Sequence, residues 1–302
     1  MTLPLNLATL AFEVGSLPVA PTPPQFANFA VQALVDEAEL TPKPGLVDRR
    51  GSGAHRDLDL AALLRSAESL RATFATMAKV SLAPVSDRSL RARLAVVGRH
   101  GEQEMMAATG GSNAHRGAIW ALGLLIAGAV IDGAGGATAI AARAASIARH
   151  PDRFAPNPAS NGARVSARYG VSGARGEATA GFPHVVNIGL PVLRSGRLKG
   201  LSEDEARIDA LLAVMASLDD TCLLHRGGQP ALDAAKTGAR NVLAAGGVGA
   251  SAGRAALTTL ERRMLDLNAS PGGAADVLAA TLFLDRIDAF HAGFCDSMPM
   301  RR

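Results

Sequence analysis

The sequence predicts an all-α fold, a single globular domain of about ten packed helices joined by glycine-rich loops. Apolar residues recur at helical spacing through most of the 302-residue chain, and no alternating run of β-branched residues interrupts them. Aromatics supply only 4% of the residues within a hydrophobic share of 48%. The core must therefore be built from Ala, Leu, Val and Ile, a mixture that suits close-packed helices better than a sandwich of strands. A chain of this length buries a sizeable core, and it shows no fixed-period internal repeat.

The elements follow in order. Residues 1–25 end in "SLPVAPTPPQ", a proline-rich extension expected to lie outside the compact fold. The helical domain then spans 26–295, with 296–302 as a tail. Phe26, Phe29, Ala33, Leu34 and Glu37 share one helical face. Leu60, Leu63, Leu64, Ala67, Leu70, Phe74 and Met77 form a second stripe, with Asp57 placed to cap it. Helical periods continue through 90–108, 117–131, 137–150, 203–225, 231–245, 254–267 and 274–290. The apolar run "AIWALGLLIAGAVI" at 118–131 falls short of the ~20 residues that span a bilayer, so it is expected to be a buried core helix. The opening "MTLPLNLATLAFEVG" has no basic region and carries Glu13, unlike a signal peptide.

Composition excludes several function classes. A formal charge of only +4, with one Trp and one Tyr, argues against nucleic-acid binding. Two cysteines, Cys222 and Cys295, make neither a disulfide framework nor a metal-ligand spacing, which suits a reducing cytoplasm. No membrane role is indicated.

The chemistry gathers where helices hand over. The stretch "LTPKPGLVDRRGSGAHRDLDL" at 40–60 carries far more charge and glycine than a connector needs, and glycines cluster again in "TGGSNAHRG", "HRGG" and "NASPGG". Helix starts expose free N–H groups that attract phosphate. In the last cluster Ser270 can cap and Pro271 suits the first helical position. Glu37 lies in phase with Ala33 and Leu34, and Asp219 with Leu211, Leu212, Met215 and Cys222, so both should point inward. A buried carboxylate is costly unless paired, hydrogen-bonded or metal-bound, and a structural salt bridge would explain each one as well as catalysis does.

In "HRDLD" Asp57 serves either as a cap or, with Asp59, as an oxygen ligand for Mg²⁺. The stretch "TGGSNAHRGAIW" is neither a P-loop nor a dinucleotide fingerprint, but it brings Asn113, His115 and Arg116 to a helix start. "DDTCLLHRGG" is either a solvated helix end or an acid, Asp220, followed by a phosphate clamp, Arg226. His100, His150, His184 and His291 lack comparable company and are taken as structural.

Taken together, "EAELTPKPGLVDRRGSGAHRDLD", "EQEMMAATGGSNAHRGAIWALGLL", "LDDTCLLHRGG" and "NASPGGAADVLAATLFLD" resemble, in this order, the triphosphoribosyl-dephospho-CoA synthase family over most of 26–288. The resemblance implies an all-helical transferase that takes ATP and 3′-dephospho-CoA and releases adenine. Its product is the precursor of the prosthetic group of acyl carrier subunits, and the "DDTCLLHRGG" wording looks more like the malonate decarboxylase branch than the citrate lyase one. Partners implied are small nucleotides, with downstream contact to the prosthetic-group transferase or the acyl carrier protein.

Carried over position by position, the resemblance makes Glu37, Asp57 and Glu102 the leading catalytic carboxylates, with Asp219 and Asp220 next. Lys43, His55, Asn113, His115, Arg116, Arg226 and Ser270 become phosphate or base contacts, supported by Gly110, Gly111, Gly227 and Gly228. Asp57, Asp59 and Asp220 are the expected Mg²⁺ ligands, and Glu37 or Glu102 the base. Two positions depart from the family pattern, Ala114 where a Thr is usual and Cys222 where many members have Asn. Competing readings are an ATP or nucleoside N-glycosidase or ADP-ribose hydrolase with water as acceptor, and a non-catalytic helical subunit that holds the carrier protein.

Overall fold

The computed structural model describes residues 20–152, 154–155 and 161–296, with side chains described through residue 293. Among the described residues the chain forms thirteen α-helices, one 3₁₀ turn and one π-helical segment, and no strand. The surplus over about ten has two sources. The stripe at 60–77 is two helices, α2 (Leu60–Ser69) and α3 (Arg71–Ser81), after α1 (Pro23–Glu39). And 161–198, without a clear apolar period, holds three short helices. The expected helix at 203–225 is broken after Ser217, but this adds none, since the part from Thr221 joins the expected 231–245 helix.

Helix α1 begins three residues before the expected boundary. Pro23 and Pro24 occupy its first turn, where a missing N–H costs nothing, and Thr22 with Gln25 forms a capping box. The residues before 20 and after 296 in the proposed extension and tail lie outside the described residues.

The centre is built from α5 (Arg116–Asp132) and α13 (Gly272–Asp296), which follow α4 (Asp87–Ala108) and close the chain respectively. Helix α5 buries residues all round its circumference, from Ala118 to Ala129, as an all-apolar helix must. Arg116–Ala148 is the one stretch among the described residues long and apolar enough to cross a membrane. It is broken at Gly133–Gly135, so that α6 (Gly136–Ala148) folds back against α5. A Cβ at Gly128 would lie 2.3 Å from the Ile140 carbonyl, so only glycine permits that approach. Fully buried Phe26, Phe74 and Phe283 fill the gaps left by the small residues, each stabilising by about 1.5–3 kcal/mol.

Three short helices, α7 (Asn161–Tyr169), α8 (Gly173–Thr179) and α9 (Leu190–Leu198), lead to α10 (Glu203–Ser217). Between α8 and α9, His184 bonds to the buried Glu177 carboxylate at 2.7 Å, ahead of the π segment Val185–Gly189. After α10 the helix stops, and α11 (Thr221–Ala244) restarts with Asp220 as its cap. Within α11, Gly228 adopts φ 63° ahead of Pro230 and kinks the helix, as the "HRGG" break predicts. Helix α12 (Ser251–Asp266) packs along α11.

Candidate active site

The loop from Leu40 to Asp59 is held by buried ionic contacts. Lys43 is 1% exposed and places its ammonium 2.6 Å from Glu37 Oε1. Its backbone N–H donates to Asp48 Oδ2, and the same buried carboxylate accepts from Arg50. Burial alone would raise the Asp48 pKa, but these donors bring it below the usual carboxylate value. Arg50 continues to Glu261 on α12. The inward placement expected for Glu37 is observed. Lys43, expected to meet phosphate, is committed to Glu37 instead. Gly45, with φ 73°, lies so near the Ala269 carbonyl that a Cβ would come within 2.4 Å, so this glycine packs the loop onto the protein rather than onto a ligand.

His55 and Arg226 join this loop to α11. The Arg226 guanidinium donates to His55 Nδ1 at 2.9 Å and to the Ala54 carbonyl at 3.2 Å. A guanidinium can only donate, so Nδ1 is the acceptor and the proton of the neutral ring sits on Nε2. That N–H donates to Ser270 Oγ at 3.0 Å. The Asp57 carboxylate, 3.4 Å from Nδ1, then shares no proton with it. Burial first, and the Arg226 charge second, hold the His55 pKa below its ordinary value. Ser270 therefore lies buried against His55 rather than acting as the cap of α13.

That cap is supplied by Asp220. Its Oδ1 accepts from Cys222 N–H at 2.8 Å, its Oδ2 from Ala274 N–H at 2.9 Å, and Leu223 and Gly273 N–H groups complete the set. One carboxylate thus caps both α11 and α13. It is sealed and saturated by four backbone donors, so it cannot act as the expected metal ligand. Its pKa is raised by burial despite those donors. Asp219 is another correction: it falls in the break after Ser217, loses the helical phase, and points outward to Lys236.

Asp276 was missed by sequence reasoning. It lies on α13 over the start of α5, accepts from the Ala118 N–H, and keeps partial exposure. Burial pushes its carboxyl well above the usual range, and the nearby Glu37 and Asp220 carboxylates push the same way. Among the described residues Lys43 is the one cation bonded to this acidic group, and its bond goes to Glu37. Asp276 is accordingly the partly exposed member whose carboxyl is held well above the usual range without a cation bonded to it. The signal in the sequence was a single charge in the apolar run from 271 to 284.

Glu102 on α4 pairs with Arg116 at 3.0 Å while a third of its side chain stays exposed. Asn113 accepts from the Arg116 N–H. Gly110 and Gly111 take positive φ in the turn after α4, with open space around them. Gly227 packs against Ala231. His115 turns inward instead of toward a phosphate: Nδ1 bonds Ser66 Oγ at 2.7 Å, and the buried Nε2 has no partner. Burial, and then the charge of Lys43, lower its pKa to about 4.

Asp59, not Asp57, caps α2, accepting the Ala62 N–H at 2.7 Å. Both carboxylates line a cavity of about 260 Å³ with Arg56, Arg65 and Thr109. Among the described residues no group of three or more His, Cys, Asp or Glu gathers to hold a metal alone. Two carboxylates beside arginines do fit Mg²⁺ carried in by a polyphosphate, because that ion keeps waters and phosphate oxygens for most of its octahedron.

Fold and site define an all-helical protein with three neighbouring acids, Glu37 near the end of α1, Asp220 capping α11 and Asp276 in the first turns of α13. The chain belongs to the CitG family, ATP:dephospho-CoA triphosphoribosyl transferase, whose pattern matches residues 23–293. It is 56% identical to the 2-(5''-triphosphoribosyl)-3'-dephosphocoenzyme-A synthase of Klebsiella pneumoniae over 262 residues, 86% of this chain and 94% of that one. Proteins named as probable synthases of the same kind are similar too. That of Stutzerimonas stutzeri is 57% identical over 87% of this chain and 91% of its own, and that of Azotobacter vinelandii 54% over 91% and 95%. No solved structure matches the chain.

Proposed function

We infer that the chain transfers the 5-triphosphoribosyl group of ATP to the ribose 2′-hydroxyl of 3′-dephospho-CoA and releases adenine. The observation that carries this beyond family membership is the acid cluster of Glu37, Asp220 and Asp276, set where α5, α11 and α13 begin. Substitution at C1′ of the ATP ribose passes through an oxocarbenium-like state, as glycoside hydrolysis does. It needs a carboxylate that takes the hydroxyl proton and an acid that protonates the departing purine.

Asp276, partly exposed and with its pKa raised by burial and by the neighbouring carboxylates, is suited to the acid role. Glu37 and Glu102 are the candidate bases, each oriented by a cation, Lys43 and Arg116 respectively. The Arg226, His55 and Ser270 chain holds the loop and two helices in register around them. Mg²⁺ would enter with the triphosphate at Asp57 and Asp59, neutralising phosphate charge. In this reading the product feeds the malonate decarboxylase carrier protein, with the prosthetic-group transferase next in line, and the enzyme works in the cytoplasm.

The test is mass spectrometry of the product formed from ATP and 3′-dephospho-CoA. Adenine release that requires the acceptor, with a product joining both, supports the transfer. Adenine released equally fast without acceptor would instead mark a hydrolase.

A further inference from the structure

A second cavity, of about 250 Å³, opens between α7 and the first turns of α11. Its lining is unlike that of the Asp57 cavity. Arg164, Arg168, His225 and Asn161 are exposed donors at its edge, while Val165 and Leu224 give it a buried apolar floor. Among the described residues no carboxylate lines it. Among the described residues neither guanidinium has an acidic partner: Arg164 bonds the Asn161 side chain, and Arg168 lies over the Tyr169 ring at 5.2 Å. Tyr169 is the only tyrosine of the chain, and its hydroxyl would stand 3.4 Å from a Cβ at the kinked Gly228. Helix α7 thus supplies two unneutralised arginines to the segment whose next residue, Arg226, reaches into the catalytic loop.

We propose that this cavity binds the diphosphate of the acceptor nucleotide, 3′-dephospho-CoA, while the Asp57 cavity takes the triphosphate of ATP. The proposal rests on the transfer reaction inferred above. Two polyanions must be held at once, and the two cavities differ in the way those anions differ. The one with carboxylates suits a phosphate chain that carries a divalent cation. The one whose charged lining is cationic suits a diphosphate that arrives without a cation, bound through planar guanidinium donors. Its apolar floor suits the aliphatic pantetheine arm that continues from that diphosphate. His225 lines this cavity, and the next residue, Arg226, bonds the Ala54 carbonyl and His55 in the loop that leads to Asp57, so the "HRGG" segment would link the two nucleotide sites.

The experiment uses Arg164→Ala and Arg168→Ala in the full chain. Both side chains are exposed, so folding is expected to be kept. Steady-state kinetics with each substrate varied in turn is paired with separate calorimetric titrations of 3′-dephospho-CoA and ATP. Each variant is expected to weaken the acceptor by about tenfold or more, the loss of a hydrogen bond to a charged group, and to leave ATP affinity nearly unchanged. A loss confined to ATP, an equal loss for both, or no loss would overturn the assignment. If wild-type protein joins the two substrates while the variants keep normal acceptor affinity, this proposal alone falls. If wild-type protein forms no joined product, the transfer reading falls with it.

Discussion

Gly117 and Asp276 are matched so closely that a Cβ added to the glycine would lie 1.9 Å from Asp276 Oδ2. The start of α5 is therefore shaped around the carboxyl that α13 presents to it. Asp276→Asn keeps the shape and removes the transferable proton, so kcat is expected to fall by about 10²–10⁴-fold with little change in either KM. Gly117→Ala should displace the carboxyl and depress turnover as well. Since the Asp276 pKa is raised, its protonated form is lost as pH climbs through that value, and wild-type activity should decline on the alkaline side. A variant Asp276→Asn with near-normal kcat, or with the same alkaline limb, would show that the proton comes from elsewhere.

Much of this arrangement was legible in the sequence, and the failures share a cause. Helical phase located Glu37 correctly because α1 is continuous through it. It misplaced Asp219 because the break after Ser217 is disguised by Leu218, an apolar residue in phase with the helix before it. It overlooked Asp276 because the stretch of α13 from Ala274 to Leu284 is otherwise buried all round, which leaves no polar face against which a single acid stands out. Capping was anticipated near Asp57 but belongs to Asp59, within the usual uncertainty of helix ends. The direction in which Lys43 and His115 turn depends on partners distant in sequence, as Ser66 shows for His115. Spacing holds no record of such contacts.

The Lys43 and Glu37 pair gives a stability prediction. Both side chains are buried, so Lys43→Met strands a carboxylate without its cation and is expected to cost about 3–5 kcal/mol. The double variant Lys43→Met with Glu37→Gln should recover a large part of that loss, because no uncompensated charge remains. Urea denaturation with an unchanged m-value reads both. A single variant within ~1 kcal/mol of wild type would mean that the pair is not what secures the loop.

His115 predicts an acid sensitivity of definite sign. Its folded pKa of about 4 lies below the ordinary 6.5, so the unfolded chain binds the proton more readily. The contribution to stability is complete above pH 6.5 and is lost as pH falls toward 4, amounting to about 3 kcal/mol. Asp276 and Asp220, whose pKa values are raised, act in the opposite sense, so the comparison must be between wild type and His115→Gln. The variant should show a flatter decline of the unfolding midpoint between pH 6.5 and 4. Parallel profiles would mean that the imidazole accepts its proton without cost.

The last prediction separates the carboxylates of the 260 Å³ cavity from Asp219. Asp59→Asn retains a side chain that caps α2 equally well and removes only the charge, so any effect it has is not a loss of the helix start. Asp57→Asn does the same for an exposed residue with no capping duty. Each is expected to raise the Mg²⁺ concentration needed for half-maximal turnover several-fold, while Asp219→Asn, which removes one exposed contact to Lys236, leaves it unchanged. Chelation with EDTA should stop the wild-type reaction, and added Mg²⁺ should restore it. Turnover indifferent to EDTA would remove the reason for placing two acids beside Arg56 and Arg65, and the triphosphate would then have to be held by arginines alone.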